Sequence, residues 1–295
     1  MTGKGESFMA NISATILDDR SVLHVSGPEA AEFLQGLITN DIGQVKDGAA
    51  IHAGLLSPQG KILFEFIIAG HDDGYLIDCA GAEAPALVKR LTLYKLRSKV
   101  EIKDLSGALH VAALWPGAEA EAPGLFTDPR LAEMGQRLIG DEASLSQAMK
   151  TLSAEPCGPA DYHARRIGLG IAEMCQDYPS GEIYPHEANF DRLGGVSFSK
   201  GCYVGQEVVS RMKHKTSIRK RIVPVMVSGD APAMGAEIRA DGKAAGQFGS
   251  SQDGRGLALL RLDRIEGAQE ITAGTARLTP LKPGWADFEV PGAAS

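Results

Sequence analysis

The chain has 295 residues, with 30 Lys and Arg against 37 Asp and Glu and a formal net charge of −7. That length can bury a sizeable core in one large or two to three small domains, and the acidic balance gives no global attraction to nucleic acid or an anionic membrane. The first ten residues lack the apolar core of a signal peptide, and no apolar run approaches the roughly 18 residues that span a bilayer.

Residues 21–26, SVLHVS, alternate like a half-buried strand. A helix is predicted over GPEAAEFLQGLITND (27–41), with Pro28 at its first position and Ala30, Phe33, Leu34, Leu37 and Ile38 on one stripe. The next segment reads as three strands joined by turns at Ser57-Pro58-Gln59-Gly60 and Asp72-Asp73-Gly74. A helix is predicted over 83–95 with Leu87, Leu91 and Tyr94 inward, then strands near 99–105 and 109–115. Residues 117–124 and 127–130 read as loops, and another helix starts near Ala160. From 222 the texture changes to short apolar runs punctuated by glycine, the pattern of a small β-barrel or sandwich. Hairpins mixed with helices argue for an α+β fold. A boundary near residue 220 separates an α+β region of 8–220, with two lobes that can interleave, from a barrel of 221–295.

GLLSPQGK (54–61) fails as a phosphate loop. It has one residue too many between its glycines, Ile62 replaces the magnesium-binding hydroxyl, and a strand follows. The seven histidines include no H-x-x-x-H or H-E-x-x-H pair, so no metal site is expected. Cys79, Cys157, Cys175 and Cys202 include no C-x-x-C pair. Four free thiols in a reducing compartment, the cytoplasm, are the expectation.

Cys202 stands apart. It lies between Gly201 and Gly205 just before a helical segment at 206–214, and Lys200 precedes it. From Lys200 to Arg221 there are seven Lys and Arg against one acid, Glu207. A helix N-terminus and nearby cations favour a thiolate; a buried, inert thiol is the alternative. Cys79 reads as core, Cys157 as loop, and Cys175 as part of a turn-rich segment whose spacing allows but does not demand an approach to Cys202. His186 and His214 read as surface or hydrogen-bonded groups. Glu65 and Asp78, on adjacent strands, face either one pocket or solvent.

KGCYVGQEVVSR (200–211) resembles the signature of the YgfZ family of folate-binding iron–sulfur assembly proteins. VSGPEAAEFLQGLITNDI (25–42), GLLSPQGKILFEFII (54–68), YKLRSKVEI (94–102) and IYPHEANFD (183–191) extend the resemblance over nearly the whole chain. It implies a three-lobed aminomethyltransferase-like fold ending in a small β-barrel, a central cavity for tetrahydrofolate, and a functional thiol at Cys202. Lys200, Gly201, Tyr203, Gly205, Gln206 and Glu207 complete that motif, with Lys200 assigned to the reacting centre beside Cys202.

Under that resemblance the pterin is expected to meet Glu65, Asp78 and Asn189, and its anionic tail Arg165, Arg166 or Arg211. Tyr203, Gln206 and Glu207 belong to the same expected folate site. One thiolate is too few for a stable cluster, so a transient iron–sulfur cluster would be shared with a carrier, an iron–sulfur client or a second copy. An effect on tRNA modification would then be indirect, through a client enzyme. The alternative is a folate-dependent aminomethyltransferase or other one-carbon transferase. Phe64-Glu65 stands where that family carries paired aspartates, which puts aminomethyl transfer in doubt. A nucleic-acid module on the 211–221 strip ranks last, because the strip lacks interleaved aromatics. No membrane partner is expected.

Overall fold

A computed structural model describes residues 11–46, 48–117, 121–214 and 218–294. In chain order the elements are β1 (Ser13–Ile16), β2 (Arg20–Ser26), α1 (Ala30–Gln35), β3 (Ala50–Leu56), β4 (Ile62–His71), β5 (Gly74–Ala80), α2 (Ala84–Lys95), β6 (Glu101–Asp104), β7 (His110–Trp115), β8 (Leu125–Thr127), β9 (Gln136–Gly140), α3 (Glu142–Thr151), β10 (Glu155–Pro156), α4 (Pro159–Leu169) and α5 (Gln206–Lys213). The last part of the chain adds β11 (Lys220–Ser228), β12 (Glu237–Ala240), β13 (Lys243–Gln252), β14 (Arg255–Arg261), α6 (Leu262–Ile265), β15 (Ile271–Ala273) and β16 (Ala276–Pro280).

Two five-stranded sheets and one closed barrel result. The first sheet has the order β3-β4-β5-β2-β6, the second β10-β1-β7-β9-β8, and the barrel β11-β14-β13-β12-β15-β16. Because β1 pairs with β7 and β10, the chain starts in the second sheet, builds the first and then returns. The two lobes are therefore interleaved.

One face of the first sheet (Phe66, Ile68, Ile77, Cys79) packs under α1 and α2 through Phe33, Leu34, Leu87 and Leu91. Its opposite face (Val22, Ile67, Leu76) meets Val111, Ala113 and Ile139 of the second sheet, with Tyr162 of α4. A separate core fills the barrel. Leu56, Ile62, Ile167, Tyr178, Phe190, Tyr203, Val209 and Ile222 join the lobes to the barrel.

The helix predicted over 27–41 forms only over Ala30–Gln35. Beyond Gly36 the chain is drawn to β3: Ile38 bridges Leu55, the Thr39 N–H donates to the Gly54 carbonyl at 2.9 Å, and the Gly54 N–H donates to Thr39 Oγ1 at 2.8 Å. Backbone bonds to a sheet edge outcompete the apolar stripe. Residues 125–127, partly read as loop, pair with β9. The expectation for the first ten residues lies outside the described residues. No helix among the described residues is long and apolar enough to cross a membrane.

Candidate functional site

Cys202 is exposed, whereas Cys79 is buried and Cys157 and Cys175 are half-buried. Both flanks of its loop are anchored. On one side the Lys200 ammonium donates to the carbonyls of Gln35 (2.7 Å), Ile38 (2.7 Å) and Asn40 (2.8 Å), at and just past the end of α1. All three of its N–H bonds are thereby satisfied, and a cation at the C-terminal end of a helix is well placed. Burial pushes its pKa down to about 8, against an opposing pull from Asp41.

On the other side Tyr203 is buried, and its ring lies 5.1 Å from the Lys200 ammonium. Gly205 adopts φ 82° as the residue before α5, and the Gln206 N–H donates to the Tyr203 carbonyl at 3.2 Å. A Cβ on Gly205 would stand 2.7 Å from the Ser57 carbonyl, so the 57–60 turn supports this loop directly. The sequence placed Lys200 at the reacting centre. The geometry corrects this: its ammonium is fully engaged by backbone carbonyls, so it positions the loop.

Glu65 and Asp78 do share one face of the first sheet, since Ile67 pairs with Asp78 in register. That face lies between the two sheets, which overturns the solvent-face alternative. Glu65 accepts from His52 Nε2 (2.9 Å), the Tyr178 hydroxyl (2.6 Å) and the Met174 N–H (2.8 Å). Burial alone would raise its pKa, but the hydrogen bond and charge of His52, then the Tyr178 bond, outweigh it and hold the carboxyl below its usual range.

Asp78 is held by Arg20 at 2.6 Å and Arg137 at 2.5 Å. From there a buried network runs through Arg137 to Asp128 (3.0 Å), Asp128 to Arg130 (2.7 Å) and Arg130 to Glu173 (2.7 Å). Arg166 extends it to Asp177 (2.7 Å) and, in the barrel, to Ser250 Oγ (2.9 Å). Four arginines face four carboxylates, and the Tyr162 hydroxyl bonds Arg130, Arg137 and Glu173.

Most of the expected folate contacts are therefore occupied. Asn189 donates to the Ile222 carbonyl (2.7 Å) and accepts from Arg221 (2.9 Å). Arg166 is fully buried in the network, and Arg165 donates to the Glu133 carbonyl. Glu207 and Arg211 pair with each other at 2.8 Å on the exposed face of α5. Two cavities, of about 1070 and 600 Å³, are lined by none of Glu65, Asp78, Arg165, Arg166, Asn189 and Cys202. As placed, the polar groups of Glu65, Asp78, Asn189 and Arg166 are engaged within the protein.

Cys175 lies beside Glu83 and takes φ 70°. Arg221 of the basic strip is an interior bolt, bonding Asp191, Asn189 and the His186 carbonyl. His186 corrects the sequence reading as well. It is buried, and neither ring nitrogen has a hydrogen-bond partner among the described residues. His52, Tyr178, Arg20, Arg130 and Arg137 were not among the residues expected from the sequence. Arg137 carried a usable signal, because it sits in the short apolar strand QRLIG (136–140).

Residues 13–126 match the GCVT N-terminal domain family, and residues 219–288 match the CAF17 C-terminal β-barrel domain. The chain is 36% identical to the mouse protein named iron–sulfur cluster assembly factor IBA57, mitochondrial, over 91% of this chain and 84% of the mouse protein. The chain belongs to the IBA57 family. The human member is 34% identical over the same shares, and a Mycosarcoma maydis homologue 33% identical over 83% of this chain and 73% of its own. IBA57 thus replaces the related YgfZ family as the name for this chain's relatives. The fold is shared with the glycine cleavage system aminomethyltransferase T of Bartonella henselae, at a TM-score of 0.73 and 17% identity over 97% of this chain and 88% of that one. The names of the IBA57 proteins carry the word mitochondrial, where the sequence reading expected the cytoplasm.

Proposed function

We propose that this member of the IBA57 family is an iron–sulfur cluster assembly factor that acts through Cys202. One observation carries the reading: of four free cysteines only Cys202 is exposed, on a loop clamped by Lys200 and Tyr203. A clamped loop presents a ligand with little ordering left to do on binding. Family membership supplies the class of cargo. One thiolate leaves most of a cluster's coordination to others, so Cys202 serves as one ligand of a cluster shared with a carrier or client protein. An effect on tRNA modification would follow only through a client that modifies tRNA.

The test mixes the protein with a [2Fe–2S]-loaded carrier and follows the visible thiolate-to-iron absorbance of the isolated complex. Wild type gives a mixed-ligand spectrum, and Cys202→Ser loses it while keeping its thermal midpoint. An unchanged spectrum in Cys202→Ser would sink the proposal.

Tetrahydrofolate is a second reading, supported by the match of residues 13–126 to the GCVT N-terminal domain and by the ionised, buried Glu65. It requires Glu65 to exchange His52 or Tyr178 for the pterin. Calorimetry with tetrahydrofolate decides it: binding weakened by Glu65→Gln supports a site there, and no heat removes it. Steady turnover of a one-carbon donor by the isolated protein would favour a transferase instead.

A further inference from the structure

We propose that the turn joining α2 to β6 is a docking surface for an acidic amphipathic segment of the partner that shares a cluster with Cys202, an inference that rests on the cluster-sharing reading above. Residues 89–99, KRLTLYKLRSK, carry five cations and no acid in a chain whose net charge is −7. Among the described residues none of these five side chains has a hydrogen bond or salt bridge, whereas Arg20, Arg130, Arg137, Arg166 and Arg221 are all paired. Two leucines lie amid the cations and pack on little of the protein itself: Leu93 is 61% exposed and Leu96 is 87% exposed. Leu96 is also held at φ 45°, ψ −105°, a conformation disfavoured for a side chain with a Cβ. Strain and exposure at one leucine bring this fold no packing in return, and such outliers gather at functional positions.

The patch is tied to Cys202 through α1. At the start of α1 the Glu29 carboxylate accepts from the Lys99 N–H at 3.0 Å, and Gly27 lies against the Lys99 carbonyl. At its end Lys200, two residues before Cys202, binds the Gln35 carbonyl. Six helical residues measure about 9 Å, so the Lys99 backbone and the Lys200 ammonium bracket one short helix. Cations around an apolar centre select a segment in which carboxylates flank aliphatic side chains. An anionic membrane fits less well, because two leucines bury little area and the chain is acidic.

The probe is a fluorescein-labelled amphipathic peptide of Glu and Leu, read by anisotropy against the full-length protein. Wild type binds, and binding weakens as salt is raised. Lys89→Glu with Arg97→Glu weakens it by about tenfold. Leu96→Gly weakens it too while raising the thermal midpoint, an opposite movement that a purely structural leucine would not show. Cys202→Ser binds the peptide like wild type, so failure of the cluster reading and failure of docking are read separately. Peptide binding indifferent to charge reversal overturns the proposal. So does binding to phosphatidylglycerol vesicles but not to peptide, or a wild-type dimer that the charge reversal dissolves.

Discussion

Gly60 and Gly205 touch back to back. A Cβ on Gly205 would lie 3.1 Å from the Gly60 Cα, and a Cβ on Gly60 would lie 2.8 Å from the Val208 Cβ. Both have positive φ, 79° and 82°. Two turns more than 140 residues apart in sequence thus meet where no side chain fits, and the Cys202 loop rests on that contact. Gly205→Ala should cost about 1–3 kcal/mol from backbone strain and overlap. It should also change the alkylation rate of Cys202, and urea denaturation with timed thiol labelling measures both. Unaltered labelling would mean that the contact does not set the loop.

Lys200→Met should destabilise by about 2–3 kcal/mol, because the Gln35, Ile38 and Asn40 carbonyls lose the one side-chain donor they have among the described residues. Lys200→Arg should not restore it, since a planar fork cannot reach three carbonyls arranged around one ammonium. Hydrogen exchange over residues 35–41 should speed up in both variants.

Arg137→Met leaves Asp78 and Asp128 short of a partner in the interior, a loss of about 3–5 kcal/mol. The same network sets the acid limit. Burial raises the pKa of Asp128 and Glu173, but Arg130 and the neighbouring arginines outweigh it and hold both carboxyls below their usual range. A depressed folded pKa gives stability that is present above the unfolded value, about 4, and is lost as pH falls toward the folded one. Urea midpoints should therefore fall steeply below about pH 4 in wild type and less steeply in Arg137→Met.

Burial pushes the His186 pKa down, with Arg221 and Arg192 adding to it against Asp191. The folded state then resists the proton that the unfolded chain accepts, so stability drops as pH falls below about 6.5. His186→Phe removes two unpartnered nitrogens and keeps a ring beside Phe198, 6.0 Å away. It should gain about 1–2 kcal/mol and flatten that slope in urea titrations between neutral and mildly acid pH.

Hairpins and barrel were legible because their signals are local. Ser57–Gly60 and Asp72–Gly74 turn where turn residues cluster, and the glycine-punctuated runs after 222 close into the barrel. The Cys202 loop was legible from Gly205 and from the helix that follows. The interior network was not, because its bonds join residues such as Arg20 and Asp78, or Arg130 and Glu173, 58 and 43 positions apart. A charged residue in a strand ordinarily marks a solvent face, and only tertiary pairing reverses that reading for Asp78 and Arg137. Lys200 misled for a related reason: its neighbour in sequence is the thiol loop, but its partners are carbonyls more than 150 residues earlier.

The network also has a temporal consequence. Arg166 meets Ser250 across 84 positions, and Asp177 accepts from the Ser250 N–H and hydroxyl in the same barrel strand. Contacts this distant slow folding, because loop closure costs entropy before they reward it. A chain whose synthesis stops short of residue 250 leaves Arg166 and Asp177 with unmet bonds in the interior. A chain truncated there should open more readily than the full chain and be cleaved faster by an added protease.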